Sequence, residues 1–239
     1  MKKKNKAIYL LFLMPFVYFA TACFVVWLVK TSGIYPSGSD TMYHVYRGDY
    51  VYNAIKSGNW YPLYDPAWYN GVEILRYWSP FPAYVMAFCQ YLAGGSQFGA
   101  YLFYIGGVCF LGACVWPFIG RGFNRPYLGA FIGLLWFFMP NNLCAIFIEG
   151  NLARSLSMIF LPVFIYSVYK YLYNHKLRYI PLMVFTFLLM ELCHLGYAGM
   201  VAIAVIIYGI VYIIQKGRKK AALDVVISMI FGFMLLGIW

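Results

Sequence analysis

The sequence predicts an all-α polytopic membrane protein, and three observations predict it. The chain has too little charge for water, it contains apolar runs of spanning length, and its basic residues cluster in the short loops between those runs. Of its 239 residues, 64% are hydrophobic and 10% are charged, and the mean hydropathy is +0.71. A soluble domain carries roughly 25% charged residues. A helix needs about 20 apolar residues to cross the hydrocarbon. The backbone must satisfy its own hydrogen bonds there, so helices are the expected form.

The net charge of +11 could suit a nucleic acid. Its placement argues otherwise, because lysine and arginine beside apolar spans set topology. Nucleic acid is not an expected partner. The six cysteines sit inside or at the edge of apolar runs without a CxxC pair. They read as small buried hydrophobes, with no disulfide framework and no metal site.

The first run, residues 7–29, follows Lys2, Lys3, Lys4 and Lys6. It exceeds the roughly 7–15 apolar residues of a signal peptide, and no small-residue cleavage site follows. Residues 1–30 therefore hold a first span. Residues 31–79 form a long loop, and residues 80–239 carry further spans at 80–95, 98–119, 127–148, 152–173, 179–195, 197–215 and 223–239. The last run reaches Trp239 without a flanking loop, so residues 1–239 are expected to be the N-terminal part of one transmembrane domain, truncated at 239. No repeat period stands out.

The basic clusters constrain the topology. They are the N-terminal lysines; Arg121 and Arg125; Lys170, Lys176 and Arg178; and Lys216, Arg218, Lys219 and Lys220. Eight crossings from a cytoplasmic N-terminus would leave every later cluster outside, against the positive-inside rule. One net crossing over residues 80–119, with 80–95 re-entrant or interfacial, brings all four clusters inside. That gives about seven crossings in a plasma-membrane, multi-pass protein with a cytoplasmic N-terminus. Residues 31–79 and the loops at Glu149 and His194 are then external.

Within the loop, Ser37 or Ser39 can cap a helix starting near Asp40. Asp40, His44 and Arg47 then share a face, and Gly58 ends the helix. Pro62 and Pro66 open an irregular stretch before a short segment, "GVEILRYW". Tyrosine and tryptophan recur from Tyr35 to Trp78, including Trp60 and Tyr61. They read either as an interfacial belt or as a platform for sugars or lipid carriers. Asp40 reads either as a first-turn acid facing the helix dipole or as a functional carboxylate.

The stretches "GSDTMYH", "AIKSGNWYPLYDPAWYNG", "RYWSPFPAYV" and "MPNNLCAIFIEGNLARSLSMIFLPVFIY" carry a resemblance. They resemble the opening of GT-C-type integral membrane glycosyltransferases. More closely, they resemble the bacterial multispanning family labelled 6-pyruvoyl-tetrahydropterin-synthase-related, akin to YfhO-like proteins. The resemblance implies a GT-C-like helical bundle with a long external loop after the first span. It also implies transfer of a sugar from a polyprenyl-phosphate-linked donor to a cell-envelope acceptor among membrane lipids. The early loop aspartate serves as general base or in metal coordination, a role that falls on Asp40 and leaves room for a divalent cation. Asp49 or Glu149 would be the second acid, with His44 beside them. Arg47 or Arg76 would face the donor phosphate, and Asn151 and Arg154 would complete the substrate side. Pterin chemistry is not implied: a histidine zinc site is needed, and His44, His175 and His194 are scattered.

Other polar groups have plainer readings. Asn151 is a good N-cap, and Arg154 can pair with Glu149 or meet a lipid phosphate. Glu191 and His194 form one E-x-x-H pair, where a di-iron bundle needs two. Asp224 follows a lysine-rich loop and is expected to be neutralised by it, and His175 is a loop residue. No nucleotide-phosphate loop, nucleophile elbow or zinc motif occurs. Two other classes stay open. A transporter or flippase of lipid-linked sugars would show broken helices near the midplane. A non-catalytic membrane scaffold would place no demand on Asp40.

Overall fold

The computed structural model describes residues 2–36 and 38–237. Ser37, one of the two expected caps, and the terminal Trp239 lie outside the described residues. The chain divides into two compact units, Met1–Leu156 and Ser157–Trp239. Among the described residues no strand forms beyond one antiparallel bridge between Asp65 and Val72.

The first unit opens with α1 (Lys2–Ser32), which packs along α4 (Gln97–Gly122) and α5 (Pro126–Leu135). Tyr18 is its anchor, fully buried and donating its hydroxyl to Ala130 O at 2.8 Å. Helices α4 and α5 cross at glycines: a Cβ on Gly129 would stand 2.4 Å from Trp116 O and 2.8 Å from Gly120 Cα. Such close approach is how membrane helices pack without a hydrophobic driving force between them. Phe16, Phe24 and Trp27 face outward, as lipid-facing residues do.

Between the spans lie α2 (Thr41–Lys56) and α3 (Phe81–Leu92), packed on each other, with α3 also on α4. Helix α3 has 12 residues, about 18 Å at 1.5 Å per residue. That is well short of the roughly 30 Å hydrocarbon, so α3 by itself is shorter than a full span. The expected "GVEILRYW" segment is irregular, held by the bridge at Val72 and by buried Ile74 and Leu75.

The expected span at 127–148 is broken. After α5 comes a 3-10 turn (Trp136–Phe138), then α6 (Pro140–Leu143), then a π turn (Cys144–Ile148). Pro140 lacks an N–H, and the residue before a proline is driven extended; Met139 has ψ 121°. The side-chain amide of buried Asn142 repairs part of the break by donating to Trp136 O at 2.9 Å. The π turn closes with Glu149 N–H on Cys144 O at 2.8 Å.

Helix α7 (Leu152–Asn174) begins in the first unit and enters the second at Ser157. With it, the second unit contains α8 (Tyr179–Cys193), α9 (Leu195–Lys216) and α10 (Lys219–Leu236). Phe164, Met183, Phe187 and Met190 form its core with Val225 and Met229. Tyr212 donates to Leu172 O at 2.5 Å and ties α9 to α7. Helix α10 starts earlier than residue 223, because Lys219 and Lys220 join its first turn.

Five segments have the length and hydropathy to cross a membrane: Phe12–Ser32, Gln97–Gly122, Pro126–Ile148, Leu152–Asn174 and Leu195–Lys216. Helix α8 is apolar but has 15 residues. The protein is thus an all-α, multi-pass membrane fold.

Candidate functional site

The first unit brings the start of α2 against the turn between the π turn and α7. Asp40 is the N-cap of α2. Its backbone N–H donates to Glu149 O at 3.0 Å, and the Ser39 hydroxyl lies 3.0 Å from the same oxygen and 3.2 Å from Asp40 Oδ1. The expected serine cap therefore does not form at Ser39, which joins two loops instead. The Asp40 carboxylate makes no capping bond to its own helix, and the residue is exposed.

The other side of the contact is built by "EGNLAR". Gly150 has φ +67°, a left-handed conformation that favours glycine. It lies so close to Gly38 and Thr41 that a Cβ there would stand 2.6 Å from Thr41 N. Asn151 caps α7 as expected, its Oδ1 accepting from Arg154 N–H at 2.9 Å. Arg154 pairs with Glu149 at 2.7 Å, and the Cys144 thiol reaches the other Glu149 oxygen at 3.4 Å. Two buried polar atoms here, Thr41 Oγ1 and Arg154 Nε, have no hydrogen-bond partner.

The structure thus collects Asp40, Glu149, Asn151 and Arg154, all expected site residues, and adds Ser39 and Thr41. It treats the remaining candidates differently. His44 is buried one turn along α2, its backbone N–H on Asp40 O at 3.1 Å. Asp49 accepts from Gln90 Nε2 at 2.6 Å, and Gln90 also donates to Gly95 O at 3.1 Å, so this acid fastens α2 to α3.

Arg47 is 1% exposed. Its Nη2 donates to Trp78 O at 3.0 Å and Ser79 O at 3.3 Å, and its guanidinium lies 5.5 Å from the Tyr43 ring centroid. Burial pulls its pKa down. This arginine clamps the end of the loop to α2, rather than standing open to a donor phosphate. Arg76 is exposed and paired with Glu73 at 2.8 Å.

The aromatic residues divide into two sets. Trp68 packs on Tyr43 and Tyr46, with ring centroids 5.2 and 4.6 Å apart, and Trp78 leans on Tyr43. Trp60, Tyr61, Tyr69 and Tyr77 are exposed, Trp60 by 71%. Asp65, which the sequence reading passed over, anchors the loop. It is buried and accepts from the Tyr46 hydroxyl at 2.5 Å and from Ala67 N–H at 2.9 Å. The signal was the Asp-Pro pair in "YDPAW", a turn initiator whose side chain bonds its own backbone two residues on.

In the second unit, His194 is the N-cap of α9, its Nδ1 accepting from Tyr197 N–H at 3.0 Å. Glu191 is buried on α8. Asp224 takes the Tyr171 hydroxyl at 2.5 Å, so it is held by a tyrosine and not by the neighbouring lysines. Among the described residues, no three His, Cys, Asp or Glu side chains converge as a metal-binding set.

No curated protein and no solved structure matches the chain. One family model does match, over residues 75–239. That stretch contains Arg76, Glu149, Asn151 and Arg154 but not the α2 residues from Asp40 to Asp49. With more than half of its length matched, the chain belongs to the family described as 6-pyruvoyl-tetrahydropterin synthase related, a family of membrane proteins.

Proposed function

We propose that the protein is a GT-C-type glycosyltransferase, or a close relative of one, at the external face of the plasma membrane. It would move a sugar from a polyprenyl-phosphate-linked donor to a cell-envelope acceptor, with its N-terminus in the cytoplasm. One observation carries this reading. Asp40 is an exposed carboxylate with no capping duty, held by its backbone against a turn that presents an acid, an amide and an arginine.

The chemistry asks for these groups. In an inverting transfer the Asp40 carboxylate takes the acceptor hydroxyl proton as that oxygen attacks the anomeric carbon. The bond from that carbon to the phosphate oxygen breaks, and the electron pair leaves on the polyprenyl phosphate. Arg154 is the cation placed to offset the developing charge, and Glu149 holds its guanidinium in position. Asn151 fixes the start of α7 beneath it. The exposed Trp60, Tyr61 and Tyr77 suit sugar stacking or the membrane interface equally. A lipid-linked donor accounts for a site at the membrane surface.

The test is Asp40→Asn in the protein, assayed in membranes with a labelled polyprenyl-phosphate sugar. General-base loss predicts a fall of about 10²–10⁴-fold in transfer with donor binding kept. Undiminished transfer would refute the assignment. The break at Met139–Pro140, inside the span Pro126–Ile148, favours a second reading, a transporter or flippase of lipid-linked sugars. That reading predicts movement of the donor across proteoliposomes without transfer, insensitive to Asp40→Asn.

A further inference from the structure

The second unit contains two adjoining hollows that the proposed chemistry does not use. One is an apolar groove of about 410 Å³ between α7, α9 and α10, lined by Val205, Gly209, Ile213 and Val226 among others, with Lys219 and Lys220 at one end. The other is an open cavity of about 570 Å³ formed by Arg218, Lys219, Lys220, His175, Tyr171 and Asp224. The same two lysines line both. A greasy channel therefore runs along the helices and ends in a basic pocket at their termini.

Charge decides what fits the mouth. Arg218, Lys219 and Lys220 stand exposed around the cavity, Arg218 in contact with the His175 ring. The single carboxylate in it, Asp224, accepts the Tyr171 hydroxyl. The pocket has an excess of cations, and the groove leading from it offers almost no polar surface. A free phosphate would leave the groove unused, and a neutral lipid would leave the cations unmatched.

We infer that this unit binds an anionic phospholipid, with an acyl chain in the groove between α9 and α10 and the phosphate on Arg218, Lys219 and Lys220. Basic pockets between membrane helices take lipid phosphates by charge, and each lysine near such a phosphate strengthens binding about fivefold. Gly209 keeps the channel open. A Cβ there would meet only Ala222 Cβ at 3.8 Å, an ordinary contact, so a larger side chain enters the groove without forcing the backbone.

The experiment titrates the full chain, purified in neutral detergent, with phosphatidylglycerol, phosphatidylcholine or glycerol phosphate, counting retained lipid by native mass spectrometry. Phosphatidylglycerol is expected to bind more tightly than phosphatidylcholine. Lys219→Gln with Lys220→Gln should weaken it about 25-fold, erasing most of that preference. Gly209→Leu should weaken both lipids while leaving all charges in place. It supplies a second reading if the lysine variant misfolds. Equal binding of the two phospholipids by the unaltered chain overturns the inference. So does displacement of phosphatidylglycerol by equimolar glycerol phosphate, which would make this a free-phosphate site. Full retention in Gly209→Leu overturns the placement of the acyl chain.

Discussion

Replacing Gly150 by alanine tests the seat on which Asp40 rests. The added Cβ would stand 2.1 Å from Thr41 Oγ1, 2.6 Å from Thr41 N and 3.1 Å from Gly38 Cα. Two costs follow. The left-handed backbone at φ +67° disfavours an L side chain by about 1–2 kcal/mol. Overfilling a packed site adds about 1–3 kcal/mol. The sum is about 2–5 kcal/mol, set against a total stability of about 5–15 kcal/mol for a typical domain. The nearest atom belongs to a side chain and the next to the backbone, which makes a partial rescue the diagnostic result.

Thr41→Ala removes the buried Oγ1, which has no hydrogen-bond partner, so alone it should be close to neutral. Combined with Gly150→Ala it should recover a fraction of the loss, leaving the clash with Thr41 N and the left-handed strain. The assay is equilibrium unfolding of the purified chain in mild detergent, followed by tryptophan fluorescence. On the proposed function, transfer should fall in parallel, because the start of α2 must shift. If Gly150→Ala lies within about 0.5 kcal/mol of the unaltered chain, the loop does not seat on this turn. Complete rescue by Thr41→Ala would refute the backbone part of the reasoning.

Two further predictions concern the loop. Arg47→Lys should loosen residues 57–79 despite keeping the charge, because an ammonium lacks the flat guanidinium that lies by the Tyr43 ring while its Nη2 donates to both Trp78 O and Ser79 O. Faster proteolysis of that loop is the expected readout, and unchanged cleavage would sink the clamp. Tyr46 should titrate late: burial first, then its bond to Asp65, raises it from an ordinary value near 10 to about 12. A raised pKa means this stabilisation is present below pH 10 and is lost as pH rises towards 12. Difference absorbance of tyrosinate between the unaltered chain and Tyr46→Phe checks it, and Asp65→Asn should bring the titration to lower pH.

What the sequence alone determined rests on local chemistry. The lack of charge and the length of the apolar runs specify membrane helices, because bilayer thickness and backbone hydrogen bonding leave few other solutions. The short apolar run at 80–95 was legible too, and it forms the 12-residue α3. Asn151 as a cap and Glu149 beside Arg154 were legible from spacing, since these contacts span only three and five residues. Tertiary structure decided the rest. Which acid stands open and which is tied down depends on distant partners: Asp49 is taken by Gln90, 41 positions away, while Asp40 meets Glu149 across 109 residues only through its backbone. Arg47 and Arg76 look alike in sequence, yet one is buried on two carbonyls and the other is exposed beside Glu73. Burial and close approach are properties of the packed chain, and a left-handed glycine at 150 becomes necessary only once the start of α2 lies against it.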